Sequence, residues 1–273
     1  MSPNYSHTNE SLDGIVKGMN VNETDEIIAV CGSGDQAFAL LEYAKSVVAV
    51  DNDKEQIEYA KKRAKALKAG DYNGFFPCPN NVYFSPDGSY WKCFAGEVRQ
   101  YFEKHNPEAR LEKIRKKLGS LEIRHVTDLL DEIQEDRFSK AYLSNILGSD
   151  YFSAVSFIKK FMPLLKEGNI KTIAQMLRTD DLKFVREILT NTDKDYIARM
   201  LSYEDKQRLK PILRRIYVKK LAQMLKKPSL IYLADVFDTE LSCLKCIKKV
   251  KGLTAIAEAK EECWTVNVFR RKA

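Results

Sequence analysis

Residues 26–54, EIIAVCGSGDQAFALLEYAKSVVAVDNDK, hold two short apolar runs separated by one segment of helix-forming composition. The first run, 26–30, leads directly into a turn at 31–34 that contains two glycines. The second run, 46–50, is rich in valine, which favours extended backbone. Because the segment 36–44 suits a single helix, we predict two parallel strands joined by a right-handed crossover.

Two glycines and one acidic residue in this stretch indicate a nucleoside-like ligand. Gly32 and Gly34 allow the backbone to bend sharply and approach a ligand closely, while the next helix presents its first N–H groups. Asp51 ends the second run, where a carboxylate can accept hydrogen bonds from both hydroxyls of a ribose. The third glycine of dinucleotide-binding turns is missing near Ala37, which disfavours NAD. The competing interpretation is a turn with a structural role only.

Further apolar runs extend this pattern along the chain. Closely joined runs at 253–259 and 264–270 predict an antiparallel hairpin at a sheet edge. Residues 71–120 and about 178–228 interrupt the alternation, so we interpret them as helical insertions in a single domain, 1–273. The interleaved strands and helices predict a three-layer α/β fold with a mostly parallel sheet. The other predicted strands are 121–126, 140–147, 170–176 and 229–236.

Composition places the chain among ordinary globular proteins. It has 273 residues, 44% of them hydrophobic, and a formal net charge of +7. No run approaches the roughly 18 apolar residues that a membrane span requires, and the first residues are polar, so we predict no transmembrane helix and no secretion signal. Six cysteines in a chain of this length are too sparse for a disulfide scaffold. We therefore expect a cytoplasmic protein.

A basic segment, 206–227, has nine Lys or Arg residues and no acidic residue. Leucine and isoleucine recur in it at helical spacing, with residues such as Arg214 and Arg215 mostly on other faces. Three interpretations stay open: a solvated helix face, peripheral contact with an anionic membrane, and contact with RNA. The modest total charge and the lack of an obvious platform of interleaved aromatic residues make nucleic acid the less favoured partner.

Several motifs carry a resemblance to known families. CGSGDQAF at 31–38 and VVAVDND at 47–53 resemble the first two motifs of class I S-adenosylmethionine-dependent methyltransferases, and HVTD at 125–128 resembles their adenine-contacting loop. More narrowly, NYSHTNE at 4–10 and GDYNGFF at 70–76 resemble S-adenosylmethionine:diacylglycerol 3-amino-3-carboxypropyltransferases of betaine-lipid synthesis. The resemblance covers about the first 80 residues well. It implies a Rossmann-like class I methyltransferase fold with S-adenosyl-L-methionine as cofactor.

The resemblance also implies positions for a cofactor site. The glycine turn would lie near the methionine part of the cofactor, Asp51 would hold the ribose, and Asp128 would approach the adenine. Tyr5 and Asn9 would close over the site from the N-terminal segment, although Tyr5 is equally compatible with a frayed terminus. The cofactor-binding residues so implied are Tyr5, Cys31, Gly32, Ser33, Gly34, Asp51, Asn52, Thr127, Asp128 and Asn145.

Few residues are needed for the chemistry itself, because a sulfonium carries its own leaving group. The protein has to align an acceptor and exclude water. Asn145 and Asp150 lie at the C-terminal end of a predicted strand, at the ligand-binding edge, and are the catalytic candidates, with ordinary turn residues as the alternative. Residues 143–147 lack an Asn-Pro-Pro-aromatic run, which disfavours methylation of a base amino group.

Other candidate groups receive weaker roles. Asp235 and Asp238 follow a further predicted strand, where a substrate role and turn chemistry are both open. His125 could act as a general base, but a lone histidine in an apolar strand favours a hydrogen-bonded core residue. Cys243 and Cys246 lack a second ligand pair at zinc spacing, so we predict no metal.

These patterns predict an S-adenosylmethionine-dependent transferase, with methyl transfer favoured. The first alternative is transfer of the 3-amino-3-carboxypropyl group to a lipid or small-molecule acceptor. The second is a non-catalytic Rossmann-like module that binds RNA or another partner.

Overall fold

The computed structural model describes twelve stretches of the chain. They are residues 6–8, 10–76, 92–103, 107–127, 129–133, 136–144, 214, 217–218, 220–227, 229–235, 253–260 and 265–271. Several sequence predictions lie outside these described residues. They concern Tyr5, Asn9, Asp128, Asn145, Asp150, Asp238, Cys243, Cys246, the strand at 170–176 and most of the basic segment 206–227.

Among the described residues, seven strands form one sheet in the order β3-β2-β1-β4-β5-β7-β6. The strands are β1 (Glu26–Val30), β2 (Ser46–Asp51), β3 (Leu121–His125), β4 (Lys140–Tyr142), β5 (Ser229–Asp235), β6 (Leu253–Lys260) and β7 (Thr265–Arg271). The helices are α1 (Leu12–Gly18), α2 (Asp35–Leu41), α3 (Lys54–Ala69), α4 (Tyr72–Phe75), α5 (Lys92–Glu103), α6 (Pro107–Lys117) and α7 (Leu129–Glu132).

The pairing of the strands confirms the predicted fold class. β1 pairs in parallel with β2 and β4, β2 with β3, and β4 with β5, whereas β6 and β7 pair antiparallel. The first five strands have the strand order of a Rossmann fold. From β1 the chain adds β2 and β3 on one side and then β4 and β5 on the other side. The chain therefore has a Rossmann-like fold, with a mostly parallel sheet and a C-terminal antiparallel hairpin.

The chain divides into two compact units. The first comprises Met1–Tyr142 with Met224–Tyr232, and the second Leu143–Gln223 with Leu233–Ala273. All the site residues described below belong to the first unit. The single domain, 1–273, with insertions near 71–120 and 178–228 stays a prediction.

The centre of the sheet is built from the two apolar runs of the opening stretch. Ile27, Ile28 and Ala29 of β1 are buried, and so are residues 47–50 of β2. Strands that are buried on both faces carry continuous apolar runs instead of alternating ones. Val30 is paired with Val50 in the β1–β2 register, so the residues that follow the two strands emerge side by side.

Local signals place most element ends, and one strand is shorter than predicted. Asp53 caps α3 by accepting the N–H groups of Glu55 and Gln56, and Gly70 ends this helix in the left-handed region as predicted. The predicted strand 140–147 stops at Tyr142, because Ser144 has a φ of 51° and leaves the extended conformation.

The residues of the predicted insertion 71–120 that the structure describes form helices. Aromatic rings join α4 and α5 to α2: Phe75 packs edge to face on Phe38 and on Phe102, at centroid distances of 5.1 and 5.3 Å. At the end of α6, the Lys117 ammonium donates to the carbonyl of Ala44, 2.8 Å away, just beyond α2. These contacts hold α2, the helix that follows the glycine turn.

A buried polar cluster lies at the amino edge of the sheet. The Lys140 ammonium, at the start of β4, is 2.5 Å from Asp25 Oδ2 and also donates to the Asn20 carbonyl. Ser139 donates its hydroxyl to the other oxygen of Asp25, 2.8 Å away. The side chains of Lys140 and Asp25 are only 8% and 6% exposed, so this is a desolvated ion pair. It ties β4 to the loop before β1.

Only part of the basic segment 206–227 is described, and its helical residues do not present every cation to solvent. Arg214 is buried, as are Tyr217, Val218 and Leu221. Arg214 therefore does not belong to an exposed basic face, contrary to its placement by helical periodicity. In the described stretches of the chain, no helix has the length and apolar character that crossing a bilayer demands.

Candidate functional site

The glycine turn and Asp51 are in direct contact. The Gly32 N–H donates to Asp51 Oδ2 over 2.9 Å, and the Asp53 N–H donates to Asp51 Oδ1 over 3.1 Å. The parallel pairing of β1 and β2 brings these residues together, since both follow paired strand ends. Each carboxylate oxygen keeps acceptor capacity beyond these bonds. The arrangement can therefore receive two hydroxyl donors side by side.

Burial changes the pKa of the Asp51 carboxyl group. Loss of solvation raises its pKa above the usual aspartate value, and the N–H groups of Asp53 and Gly32 oppose this by stabilising the charged form. The carboxylate is thus half-buried and held in one orientation by backbone donors. Hydrogen bonds that a ligand makes to such a desolvated acceptor are stronger than the same bonds in water.

The two glycines of the turn have different roles in the structure. Gly32 has a φ of +48°, and a Cβ atom built on it would meet nothing within 4 Å, so open space adjoins the backbone there. Gly34 has a φ of +91°, and a Cβ atom there would lie 3.0 Å from the Phe38 ring and 3.2 Å from Ala60 Cβ. Gly34 therefore permits the close packing of α2 on α3, and Gly32 alone borders free space.

Alanine substitutions should separate these roles. Gly32→Ala introduces an unfavourable left-handed residue without a clash and is expected to lower the free energy of unfolding by about 1 kcal/mol. Gly34→Ala adds overlap with Phe38 and Ala60, so about 2 kcal/mol is expected. Urea denaturation measures both losses. Equal losses in the two variants would contradict the assignment of Gly34 to helix packing.

Cys31 can serve a ligand only through its backbone. Its thiol is fully buried, and burial raises its pKa far above the usual cysteine value, so it is not a nucleophile. Its N–H donates to the Val50 carbonyl over 2.8 Å, and its carbonyl accepts the Gly34 N–H over 2.7 Å. Cys31 thus closes the turn.

Residues 125–127 lie on the other side of Asp51. The Val126 N–H donates to the Asp51 carbonyl over 2.8 Å. His125 Nε2 is 3.1 Å from the Asn52 carbonyl, to which it donates, and its side chain is exposed. The interpretation of His125 as a core residue is therefore wrong, because β3 stands at one end of the order of described strands. Thr127 is exposed as well.

The sequence predictions missed a buried ion pair behind the turn. Asp35 Oδ1 lies 2.7 Å from Arg63 Nη1, and the side chains are 0% and 2% exposed. A signal for this pair was available, since Arg63 shares the α3 face of the buried residues Ile57, Ala60 and Leu67 at helical spacing. A cation on such an apolar face predicts a buried anionic partner.

The N-terminal segment, 6–10, is docked on the same region. The Tyr59 hydroxyl of α3 donates to the Ser6 carbonyl over 2.9 Å, and the Thr8 N–H donates to Asp35 Oδ2 over 2.8 Å. Gln36 Nε2 donates to the Thr8 hydroxyl over 2.7 Å. These bonds hold the described residues of the segment at the start of α2.

The predicted site residues divide into two groups. Those that the structure brings together at the carboxyl ends of β1, β2 and β3 are Cys31, Gly32, Ser33, Gly34, Asp51, Asn52 and Thr127. Those outside the described residues are Tyr5, Asp128, Asn145 and Asp150. Among the described residues, no group of three or more His, Cys, Asp or Glu side chains is placed to hold a metal ion.

Comparisons of this chain with known proteins found similar solved structures, all at low sequence identity. No family model and no curated protein matches its sequence. Similar solved structures include the N-methyltransferase NodS from Bradyrhizobium japonicum WM9, with 9% identity, TM-score 0.45 and coverage of 96% of this chain and 94% of that one.

Two further solved structures are similar to the same extent. A SAM-dependent methyltransferase from Aquifex aeolicus has 10% identity, TM-score 0.44 and coverage of 96% and 89%. An RNA methyltransferase from Salinibacter ruber, in complex with S-adenosyl-L-homocysteine, has 13% identity, TM-score 0.40 and coverage of 97% and 92%. Because these identities and TM-scores are low, the fold of the chain is established by its own strand order and not by its similarity to these structures.

Proposed function

We propose that this protein is an S-adenosylmethionine-dependent transferase, most favourably a methyltransferase. One observation carries the proposal: the Gly32 N–H and the Asp51 carboxylate are 2.9 Å apart, next to open space above Gly32. A ribose needs two acceptors side by side, and a turn without a side chain lets the rest of an adenosine derivative approach the backbone. The residues present fit this cofactor.

The described residues would divide the work of holding the cofactor. Asp51 would accept the ribose hydroxyls and Asn52 would flank the ribose. Gly32 would border the methionine part, and Thr127 would lie toward the adenine. When bound, the cofactor supplies an electrophilic carbon and its own leaving group. The protein therefore needs to orient the acceptor and exclude water, and no buried acid or base is required. Asn145 and Asp150 remain the proposed catalytic residues, and Tyr5, Asp128 and Asn145 remain proposed cofactor contacts.

Methyl transfer and 3-amino-3-carboxypropyl transfer use the same cofactor site but different carbons of the sulfonium. One observation supports 3-amino-3-carboxypropyl transfer. The segment 4–10 carries the narrower family resemblance, and its described residues are docked at the glycine turn. We propose that the protein acts in the cytoplasm and that its acceptor is a small molecule or a lipid. If the acceptor is a lipid, the segment 206–227 would contact an anionic membrane.

Product analysis tests this proposal. The protein is incubated with S-adenosylmethionine and a cell extract freed of nucleosides, and the nucleoside released is identified by mass spectrometry. S-adenosylhomocysteine is the expected product, and methylthioadenosine would establish the alternative transfer. The Asp51→Ala variant serves as the control for contaminating enzymes. Release of neither nucleoside above this control would favour the non-catalytic module.

A further inference from the structure

We propose that Asp35 and Arg63 are positioning residues, whose buried ion pair fastens the described residues of the N-terminal segment, 6–8 and 10, to the glycine turn so that both can serve cofactor binding. The inference rests on the proposed function. It goes beyond it by assigning roles to two residues that lie behind the turn and to a segment that precedes the fold.

The Asp35 carboxylate is the junction of three parts of the chain. Its Oδ1 pairs with Arg63 of α3, and its Oδ2 accepts both the Ser33 hydroxyl, 2.7 Å away, and the Thr8 N–H, 2.8 Å away. One buried carboxylate thus contacts the turn, a helix of the next strand-helix unit and the N-terminal segment. A shift of Asp35 would move all three together.

Arg63 holds the turn a second time through its backbone. Its Nη1 donates to the Ser33 carbonyl over 2.9 Å, and its Nε donates to the Phe75 carbonyl over 2.7 Å. The guanidinium also lies 4.9 Å from the centre of the Phe75 ring. Since Ser33 is held by both its hydroxyl and its carbonyl, its side chain is used to shape the turn.

The energetics favour a role in geometry over a role in stability. A buried ion pair loses solvation, and apolar residues of similar volume are often equally stabilising in its place. Arg63 Nη2 is buried without a hydrogen-bond partner in the described part of the chain, which adds to this cost. Apolar residues could not make the hydrogen bonds by which Asp35 and Arg63 hold Ser33 and Thr8.

The N-terminal segment has a second attachment that depends on the Thr8 side chain. The Thr8 hydroxyl accepts Gln36 Nε2 over 2.7 Å and the Glu10 N–H over 3.2 Å. Thr8 is therefore held by Asp35 through its N–H and by Gln36 through its hydroxyl. Both partners lie in the first turn of α2, immediately after Gly34.

Two variants and one control test the inference. Arg63→Lys keeps a cation beside Asp35 but cannot donate to both the Ser33 and the Phe75 carbonyl in one planar geometry. Thr8→Val keeps the shape and the N–H but removes the hydroxyl. Lys61→Met, on the same helix, removes one member of the exposed pair with Glu58 and is the matched control.

The dissociation constant for S-adenosylhomocysteine is measured by calorimetry well below the melting temperature of each variant. We expect it to rise about tenfold in Arg63→Lys and severalfold in Thr8→Val, and to stay unchanged in Lys61→Met. A residue with only a structural role would lower the melting temperature and leave this constant unchanged. An unchanged constant in both Arg63→Lys and Thr8→Val would therefore overturn the inference.

Hydrogen exchange of the free protein separates this inference from the proposed function. The Thr8 amide should exchange faster in Arg63→Lys than in the wild type, because its acceptor Asp35 is less well held. If the wild type does not bind S-adenosylhomocysteine, the proposed function fails, and equal exchange at Thr8 would then overturn the fastening as well. If Arg63→Lys does not fold, Thr8→Val decides by its dissociation constant.

Discussion

Replacement of Asp51 by alanine is expected to weaken the binding of S-adenosylhomocysteine by about 1–3 kcal/mol, roughly fivefold to 150-fold. The carboxylate is half-buried and held in place by the N–H groups of Gly32 and Asp53, so its remaining acceptor capacity has a fixed direction. Removing it would leave the ribose hydroxyls without acceptors and would remove the bond from the Gly32 N–H to β2. Calorimetric titration of the folded variant measures the loss.

The control for this prediction is Asp53→Ala. Asp53 caps α3 through the N–H groups of Glu55 and Gln56, so its loss should destabilise the protein by about 1 kcal/mol. The affinity of the Asp53→Ala variant for S-adenosylhomocysteine should nevertheless stay close to that of the wild type. If Asp51→Ala bound as tightly as Asp53→Ala, Asp51 would not be the ribose acceptor.

Replacement of Lys140 by methionine should cause the largest loss of stability, about 3–5 kcal/mol. Lys140 and Asp25 are nearly buried and their charged atoms are 2.5 Å apart, so the variant would leave the Asp25 carboxylate desolvated and without its cation. The loss would appear as a lower midpoint of urea denaturation. Ligand affinity of the folded molecules should not change, because this pair lies at the amino edge of the sheet and the candidate site at the carboxyl edge.

An exposed pair in the same region supplies the comparison. Lys45 lies 2.8 Å from Glu26, but its side chain is 62% exposed, so Lys45→Met should cost about 0–1 kcal/mol. A double variant, Asp25→Asn with Lys140→Met, removes both charges and should recover part of the stability. A loss below about 1 kcal/mol in Lys140→Met would show that Asp25 is adequately solvated without its partner.

The candidate site and the buried Asp25–Lys140 pair lie at opposite ends of the strands, so function and stability can be tested separately. Gly32 and Asp51 follow the ends of β1 and β2, whereas Asp25 precedes β1 and Lys140 begins β4. Parallel strands place all their carboxyl ends on one side, and ligands bind there in open α/β sheets. The buried pair at the opposite edge can thus stabilise the strands without touching the site.

The sequence by itself determined the elements whose signals are local. Apolar runs placed β1 and β2, and Gly70 marked the end of α3 because only a residue tolerant of positive φ suits that position. Parallel pairing of consecutive strands then implied that Gly32 and Asp51 would meet, and they do. The closely joined final runs similarly indicated the antiparallel hairpin.

Only the tertiary structure decided which distant polar groups are partners. Asp25 and Lys140 are 115 residues apart, and in a chain with 45 basic and 38 acidic residues no local pattern selects that pair. The structure likewise assigned Gly34 to the packing of α3, left His125 exposed, and joined Thr8 to Asp35. Periodicity reports which face of an element is buried, whereas the identity of a partner depends on how separate elements pack, and packing is a property of the whole fold.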